Sequence, residues 1–579
     1  MVEVTHSGDT LAADAGVTPP APPRLGDLLL RAGLISADQL EAALAAQNIR
    51  RKRLGEVLRE DGVVDEVGIA TVLSVQLDAP LVDLRERPSD EAALRTLAEL
   101  DARRLLVVPL AVRDESLVIA TEDPGNRALI EEVTGLVGRP VQPLLALRSD
   151  IEQAIRGRYR ITGDLAVQVT AFASSRPNAP AGAVAPAPEL EHLREAPVVQ
   201  IVNLLVGQAL RDRASDLHIE PQGNALRIRT RVDGLLRDVA SLPADLAPGL
   251  VSRIKILADL NIVEKQRAQD GQITMEIEGR SVDIRVATMR TIWGEKVVMR
   301  LLDRDRSVLR LGDLGFPVST LPAYERLLRS RYGMVIVAGP TGSGKTTTLY
   351  ASINEIDRDA LNVTTIEDPV EYTFERVNQT QVNAQAGVTF ASGLRAILRQ
   401  DPDVILVGEM RDRDTAEIAV QASMTGHLVL SSMHATDAVS ALFRLLEMGI
   451  EPFLVSASVT GIAAQRLMRR TCPHCRIEIE PTTEEATLYA SAGLEAPARA
   501  YLGRGCTYCG GTGYLDRIGV YELLLVTPAV RRLIAQQAHY DEVRSQALAD
   551  GMVPLRIDAL RKAATGVTTV SEAVRAVSG

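Results

Sequence analysis

"MVIVAGPTGSGKTTTLYASINEI" occupies residues 334–356, and its reading decides the fold. "MVIVAG" is an apolar run that suits a buried strand, and "TTTLYASINEI" suits a helix. Between them Gly339, Gly344, Lys345 and Thr346 fit G-x-x-x-x-G-K-[ST] in the strand–loop–helix setting the pattern requires. The candidate phosphate cradle is Gly339, Pro340, Thr341, Gly342, Ser343, Gly344, Lys345, Thr346 and Thr347. Glycines let backbone N–H groups turn inward on phosphate oxygens, and the helix start adds partial positive charge. Lys345 is placed to neutralise β/γ-phosphate charge, and Thr346 to put its hydroxyl on Mg²⁺. A chance Gly-rich turn would not sit between this strand and this helix.

A nucleotide hydrolase also needs acidic groups at neighbouring strand ends. "DPDVILVGEMRD" (401–412) runs an apolar strand, Val404–Val407, into Gly408 and Glu409. "TIEDPVEY" (365–372) puts Glu367, Asp368 and Glu371 after another. Taken alone, this second stretch also reads as a solvated acidic turn. The general base lies between Glu409 and Glu367; Glu409 is favoured for the water and the Mg²⁺ shell, with Glu367 assisting. Histidines number only seven, and two flank a strand in "GHLVLSSMHATDA" (426–438), His427 and His434. His434 falls at the strand's C-terminal end, where open α/β sheets gather ligands. It is a γ-phosphate sensor candidate or an ordinary structural histidine.

Composition bounds the alternatives. A chain of 579 residues suggests about three to five domains. A net charge of −11 and only 3% aromatic residues argue against a nucleic-acid groove, which needs a basic footprint and stacking platforms. The polar, acidic start and the shortness of every apolar run predict a cytoplasmic protein that meets the membrane only through partners.

The whole is expected to be α/β and multidomain. Residues 1–23 read as a disordered lead-in and 24–160 as an N-terminal regulatory domain, a tandem repeat followed by an α/β subdomain. Residues 161–195, dense in Ala and Pro, read as a linker. An α/β lobe follows at 196–305, an ATPase core at 306–470, a tetracysteine element at 471–512 and a helical C-terminal region at 513–579.

"GPTGSGKT", "TIEDPVEY", "DPDVILVGEMRD" and "GHLVLSSMHATDA" occur in an order that resembles the Walker A, Asp-box, Walker B and His-box series of the type II secretion and type IV pilus assembly ATPases. The resemblance extends upstream through "ASDLHIEP", "RVDGLLR", "EKQRAQDGQI" and "GEKVVMRLL", and downstream through "EMGIEPFLVSASVTGIAAQRL" and "RIGVYELL". It implies a RecA-like core preceded by a PAS-like lobe, a homo-hexamer, Mg-dependent ATP hydrolysis and an inner-membrane platform partner. It implies that Arg285 and Arg300 of the lobe reach nucleotide phosphates, joined by Arg395, Arg399 and Arg517. Planar guanidinium forks suit developing phosphoryl charge. Arg395 and Arg399, four apart, are expected to share a helix face. One departure is "SSMHATDA", where the family usually carries Thr-Leu before the His and Thr-Asn after it. "GVYELL" and the C-terminal stretch lean toward the secretion branch.

All four cysteines fall in two C-x-x-C pairs, Cys472/Cys475 and Cys506/Cys509, separated by thirty residues. The pairs suit one closed, structural tetrahedral Zn²⁺ site; a redox pair or free thiols are the alternatives. In the resembling family this element docks on the platform partner.

Upstream, "RLGDLLLRAGLISADQLEAALAAQ" (24–47) recurs as "RLGEVLREDGVVDEVGIATVLSVQ" (53–76). Its apolar positions predict two packed helical hairpins with turns at Gly33 and Gly62. The doubling resembles the cyclic di-GMP-binding N-terminal domain of the same ATPases. That resemblance implies a ligand site from Arg24, Leu25, Gly26, Asp27 and Gln47, from Arg53, Leu54, Gly55, Glu56 and Gln76, and from Asp123. Glu56 stands where the family often has Asp. Gly26 and Gly55 are expected to admit ligand to the backbone. Hairpins that merely dock on a partner are the plainer reading. For the chain as a whole, a nucleic-acid-translocating motor and a non-enzymatic signalling module are the rivals. Intact Lys345, Thr346 and Glu409 oppose the second.

Overall fold

The computed structural model describes residues 24–159 and 197–578, except 51, 78, 86, 88, 278–279, 304–309 and 507, together with 165 and 168–170. The expected lead-in, 1–23, and nearly all of the expected linker, 161–195, lie outside these described residues. The chain divides into two units, Met1–Tyr159 and Arg160–Gly579.

In the first unit the doubled phrase forms four helices, Leu25–Arg31, Ala37–Arg50, Leu54–Glu60 and Glu66–Gln76. Leu29 and Leu58, equivalent in the two copies, are both fully buried, and Ile35 and its counterpart Val64 are nearly so. Gly33 and Gly62 end the first helix of each hairpin at φ 69° and 67°, a left-handed conformation that costs glycine little. A three-stranded sheet follows. Val107–Arg113 pairs antiparallel with Ser116–Thr121, and that strand pairs parallel with Val141–Leu145 across the helix Arg127–Val137.

The second unit begins with the helix Pro197–Arg211 and a six-stranded, wholly antiparallel sheet. Its strands run in the order 235–243, 225–232, 216–222, 294–303, 280–291, 269–277. One face packs Ile228, Ile284 and Met299 against Ile201 and Leu205 of the helix.

Beyond it lies a seven-stranded sheet in the order 378–381, 363–367, 404–407, 428–433, 333–338, 459–471, 514–525. The first six strands are parallel. Strands 333–338, 363–367, 404–407 and 428–433 are buried at every position, since helices cover both faces. This is a mixed α/β chain with a phosphate-loop ATPase-type core. Among the described residues, no helix is long and apolar enough to cross a membrane.

One expectation fails. The region 513–579, read as helical, opens on the twelve-residue strand Tyr514–Leu525, antiparallel to Val459–Thr471. A short apolar run such as "VYELLL" suits a buried strand and a buried helix equally, and the free edge of the core sheet decides between them. Helices begin only at Pro528.

The last helix, Val570–Val577, is pinned to the core sheet by Glu572, whose side chain is fully buried. Its carboxylate accepts from Arg469 N and Nη2 at 2.9 and 2.7 Å, and from Arg575 Nε and Nη2 at 2.7 and 2.6 Å. Burial opposes ionisation, but the guanidiniums of Arg575 and Arg469 outweigh it and hold the carboxyl at about 2, against an ordinary 4.5. A depressed carboxyl stabilises the fold above its unfolded value and loses that contribution as pH falls through its folded value. Wild-type unfolding free energy, read from urea titrations, should therefore fall between about pH 4.5 and pH 2. Glu572→Gln should cost about 3–5 kcal/mol at pH 7 and flatten that stretch of the profile.

Candidate functional site

The phosphate loop leaves the central strand Gly333–Ala338 and enters the helix Lys345–Asn354. Gly344 caps that helix at φ 88°, and a Cβ on it would stand 3.1 Å from Gln465 Nε2. A Cβ on Gly339 would meet Ser343 Oγ at 2.5 Å and the Gln465 carbonyl at 2.7 Å, so backbone crowding alone demands glycine there. Lys345 Nζ donates to the carbonyls of Gly339 and Pro340 at 2.9 and 3.0 Å. Burial pushes its pKa down, and Glu409 pulls it up again. Pro340, Thr341, Gly342, Thr346 and Thr347 are exposed, and Ser343 is buried.

Strand pairing brings the acidic and histidine candidates to the same edge. Glu409 follows the strand Val404–Val407, and His434 follows the adjacent strand Leu428–Met433. His434 Nε2 lies 3.7 Å from Glu409 Oε2, and Arg411 Nη2 lies 2.5 Å from Oε1. Partial burial, then the Lys345 ammonium, pushes the His434 pKa down, which favours the neutral ring. His427 instead has Nδ1 against the Ala422 carbonyl at 2.9 Å, a local role.

Glu367 has different surroundings. It is 3% exposed and surrounded by neutral donors: Tyr350 OH at 2.5 Å, Thr365 Oγ1 at 2.6 Å and Gln379 Nε2 at 3.2 Å. Tyr350 OH in turn accepts from Glu371 N at 3.1 Å. Both Glu367 oxygens are thus occupied by structural bonds, whereas those of Glu409 meet Arg411 and His434.

The five arginines are not brought together at the loop. Arg285 Nη2 lies 3.0 Å from Glu371, and Arg300 Nε lies 3.3 Å from Asp216. The two face each other across neighbouring strands. Arg395 and Arg399 are exposed and, among the described residues, have no side-chain bond. The helix ends at Ile397 with Leu398 as its cap, so they do not share a helix face. Past the cap the chain tightens into a turn, with Arg399 N donating to the Ala396 carbonyl at 3.1 Å. Arg517 is exposed, opposite Arg469.

The sulfurs of Cys472, Cys475, Cys506 and Cys509 all lie within 4.8 Å of one another. Three of the separations are 3.8, 3.9 and 3.8 Å. A tetrahedron with about 2.3 Å metal–sulfur bonds has edges of about 3.8 Å, so the donor set fits Zn²⁺. Backbone amides of Gly505, Cys506 and Gly513 point at the Cys475 and Cys509 sulfurs from 3.1–3.3 Å, which favours thiolates. The intervening chain makes the two-stranded sheet 476–479/500–503 and the helix Thr483–Ser491. His474 stacks on Tyr508 with ring centroids 3.8 Å apart.

In the first unit a cavity of about 440 Å³ opens between the second copy of the repeat and the three-stranded sheet. Leu25, Arg53, Gly55, Glu56 and Asp123 line it, joined by Arg59 and Arg148, which the sequence reading missed. Arg53 pairs with Asp123. Arg24, Gly26, Asp27, Gln47, Leu54 and Gln76 are not among the lining residues. Gly26 is buried, and a Cβ there would strike Leu40 at 2.8 Å, so its smallness serves helix packing.

Comparison with known proteins agrees with this architecture. The family model "Type II/IV secretion system protein" matches residues 191–575, and the "MshEN domain" model matches 77–165, beginning where the doubled phrase ends. The chain is 38% identical over 562 residues, 95% of its length and 98% of the relative's, to the type IV pilus assembly ATPase PilB of Myxococcus xanthus. It is 43% identical over 506 residues, 86% and 99% of the two lengths, to the type II secretion system protein E of Pseudomonas aeruginosa. A solved structure described as "Structure of MshE with cdg" is 31% identical over 24% of this chain and 99% of that one, with a TM-score of 0.23.

Tyr350 bridges Glu367 and the Glu371 backbone. Tyr350→Phe leaves a buried carboxylate oxygen and an amide without their partner. Chemical denaturation should show a loss of about 2–4 kcal/mol.

Proposed function

Since this chain belongs to the type II/IV secretion system protein family, we propose that it is a hexameric motor that couples Mg–ATP hydrolysis to assembly of a type II secretion pseudopilus or a type IV pilus. It acts at the cytoplasmic side of an inner-membrane platform, and the C-terminal stretches favour the secretion branch. One observation carries the enzymatic part of this reading: Lys345, Glu409 and His434 gather at the C-terminal ends of adjacent parallel strands. In this reading the loop amides and Lys345 hold the phosphates, and the Thr346 hydroxyl holds Mg²⁺. Glu409 orients and deprotonates the attacking water, and neutral His434 donates a hydrogen bond to the γ-phosphate. Glu367 assists indirectly, by fixing Tyr350 and hence the loop that carries Glu371. Arg285, Arg300, Arg395, Arg399 and Arg517 supply phosphate contacts when subunits assemble, at which point Arg285 and Arg300 must exchange their carboxylate partners. The four cysteines hold a structural Zn²⁺ that stiffens the element facing the platform.

We infer a second role for the first unit, binding of cyclic di-GMP. The supporting observation is a cavity in which three guanidiniums, those of Arg53, Arg59 and Arg148, stand beside apolar walls from Ile69, Leu73 and Leu129. Guanidiniums pair with phosphate or guanine edges, and apolar walls accept base faces.

Purified protein should release phosphate from ATP only with Mg²⁺. Lys345→Ala should abolish nucleotide binding and turnover together; turnover that survives would refute the assignment. Glu409→Gln should keep binding of mant-ATP but lose about 10²–10⁴ in kcat. In calorimetry with cyclic di-GMP, Arg53→Ala should weaken binding by about tenfold or more, the worth of one charge-assisted pair. Wild-type protein that takes up no cyclic di-GMP would remove the second role.

A further inference from the structure

The strand Val459–Thr471 outlasts its partner. It pairs with the phosphate-loop strand as far as Ala338 opposite Ala464, and then runs on past the loop paired only with the antiparallel strand Tyr514–Leu525. The next two residues, Gln465 and Arg466, are 1% and 8% exposed. Gln465 Nε2 donates to the Ser343 carbonyl at 2.5 Å, across 122 positions of sequence. Arg466 opens its fork in two directions: Nη1 donates to the Gln465 carbonyl at 3.1 Å, and Nη2 to the Thr436 carbonyl at 2.6 Å. Thr436 lies two residues after His434. On the other side, Gly339 N donates to the Met433 carbonyl at 3.1 Å. The links close a ring: Gly339, Met433, Thr436, Arg466, Gln465, Ser343 and back to Gly339.

Two features set this ring apart from ordinary packing. Arg466 is a buried guanidinium whose fork is held by carbonyls, with the Asp437 and Glu522 carboxylates acting on it from beyond ion-pair distance. Its donors are spent on main-chain carbonyls rather than on those carboxylates, so the fork fixes backbone position as well as balancing charge. Ser343 Oγ and Gln465 Oε1, both buried on the ring, have no hydrogen-bond partner. Unsatisfied buried polar atoms are rare, and each calls for a reason beyond packing.

We propose that Gln465 and Arg466 are positioning residues that make the phosphate loop and the His434 loop one mechanical unit, so that nucleotide seated on the first aligns His434 and Glu409 over the second. This rests on the ATP-hydrolysis reading above. The fork is essential to the idea. Lysine keeps the charge of Arg466 but cannot donate to two carbonyls in fixed, divergent directions. A device that only contributes cationic charge near phosphates tolerates lysine, whereas a device that ties two loops does not.

The test uses the full chain, with phosphate release and equilibrium binding of mant-ATP measured in parallel. Arg466→Lys should lower kcat by about ten- to a hundredfold, the usual consequence of misplacing a catalytic group, while mant-ATP affinity stays within about threefold. Gln465→Asn keeps the amide but withdraws it from Ser343 by one methylene, and should show the same split. It also serves if Arg466→Lys does not fold by circular dichroism. The double variant should lose no more than the worse single one, because cutting a ring twice adds nothing. Full kcat in Arg466→Lys, additive losses in the double variant, or lowered melting temperature with kcat unchanged would each overturn the proposal while leaving the ATPase reading intact. A wild-type chain that neither binds mant-ATP nor releases phosphate would overturn both.

Discussion

The phosphate loop must present its backbone amides inward, and that one constraint organises the second unit. A loop of this kind has few side chains with which to hold itself in shape. Its shape comes from what surrounds it: a buried central strand before it, a helix after it, and a flanking strand on either side. Gly339 shows the tightness of the arrangement, since a single added carbon would run into Ser343 and Gln465 at once. Six of its seven strands are parallel and helices cover both faces, so the C-terminal strand ends are where polar side chains gather beside the loop.

At those ends identical chemistry is sorted by environment. Glu367 and Glu409 both follow buried strands that pair side by side, up to Ile366 opposite Val407. Tyrosine, threonine and glutamine enclose the first, and its oxygens are committed. The second meets the Arg411 guanidinium and the His434 imidazole. The division is between a carboxylate held by neutral donors and one held by ionisable partners, and it comes from neighbours rather than from residue type.

The outlying elements follow the same logic of small cores reinforced by specific devices. The tetracysteine element is a two-stranded sheet and one helix, and under the proposed reading a Zn²⁺ on its four clustered sulfurs would cross-link it. The C-terminal helix gains its anchorage from one buried carboxylate between two guanidiniums. In the first unit the repeat is nearly symmetric as sequence but not as a cavity. Its second copy contributes Arg53, Gly55 and Glu56, and its first contributes Leu25.

By itself the sequence determined what depends on near neighbours. The phosphate loop, its strand and its helix lie within a few turns of chain, so residue order dictates them. The same is true of the hairpins ended by Gly33 and Gly62 and of the C-x-x-C turns. Only the tertiary structure decided what depends on distant partners. "VYELLL" became a strand because the sheet had an open edge beside Val459–Thr471. Arg285 turned to Glu371, and Gly26 proved to be a packing residue, because elements far apart in the chain met there. Gln465 and Arg466 lie in a stretch that the resemblance covers, but nothing local gives their roles, since their partners lie 122 and 30 residues away. Backbone conformation is set over a few residues, and local pattern records it. A side chain's role is set by what lies within a few ångströms of it, and those neighbours are chosen by the fold.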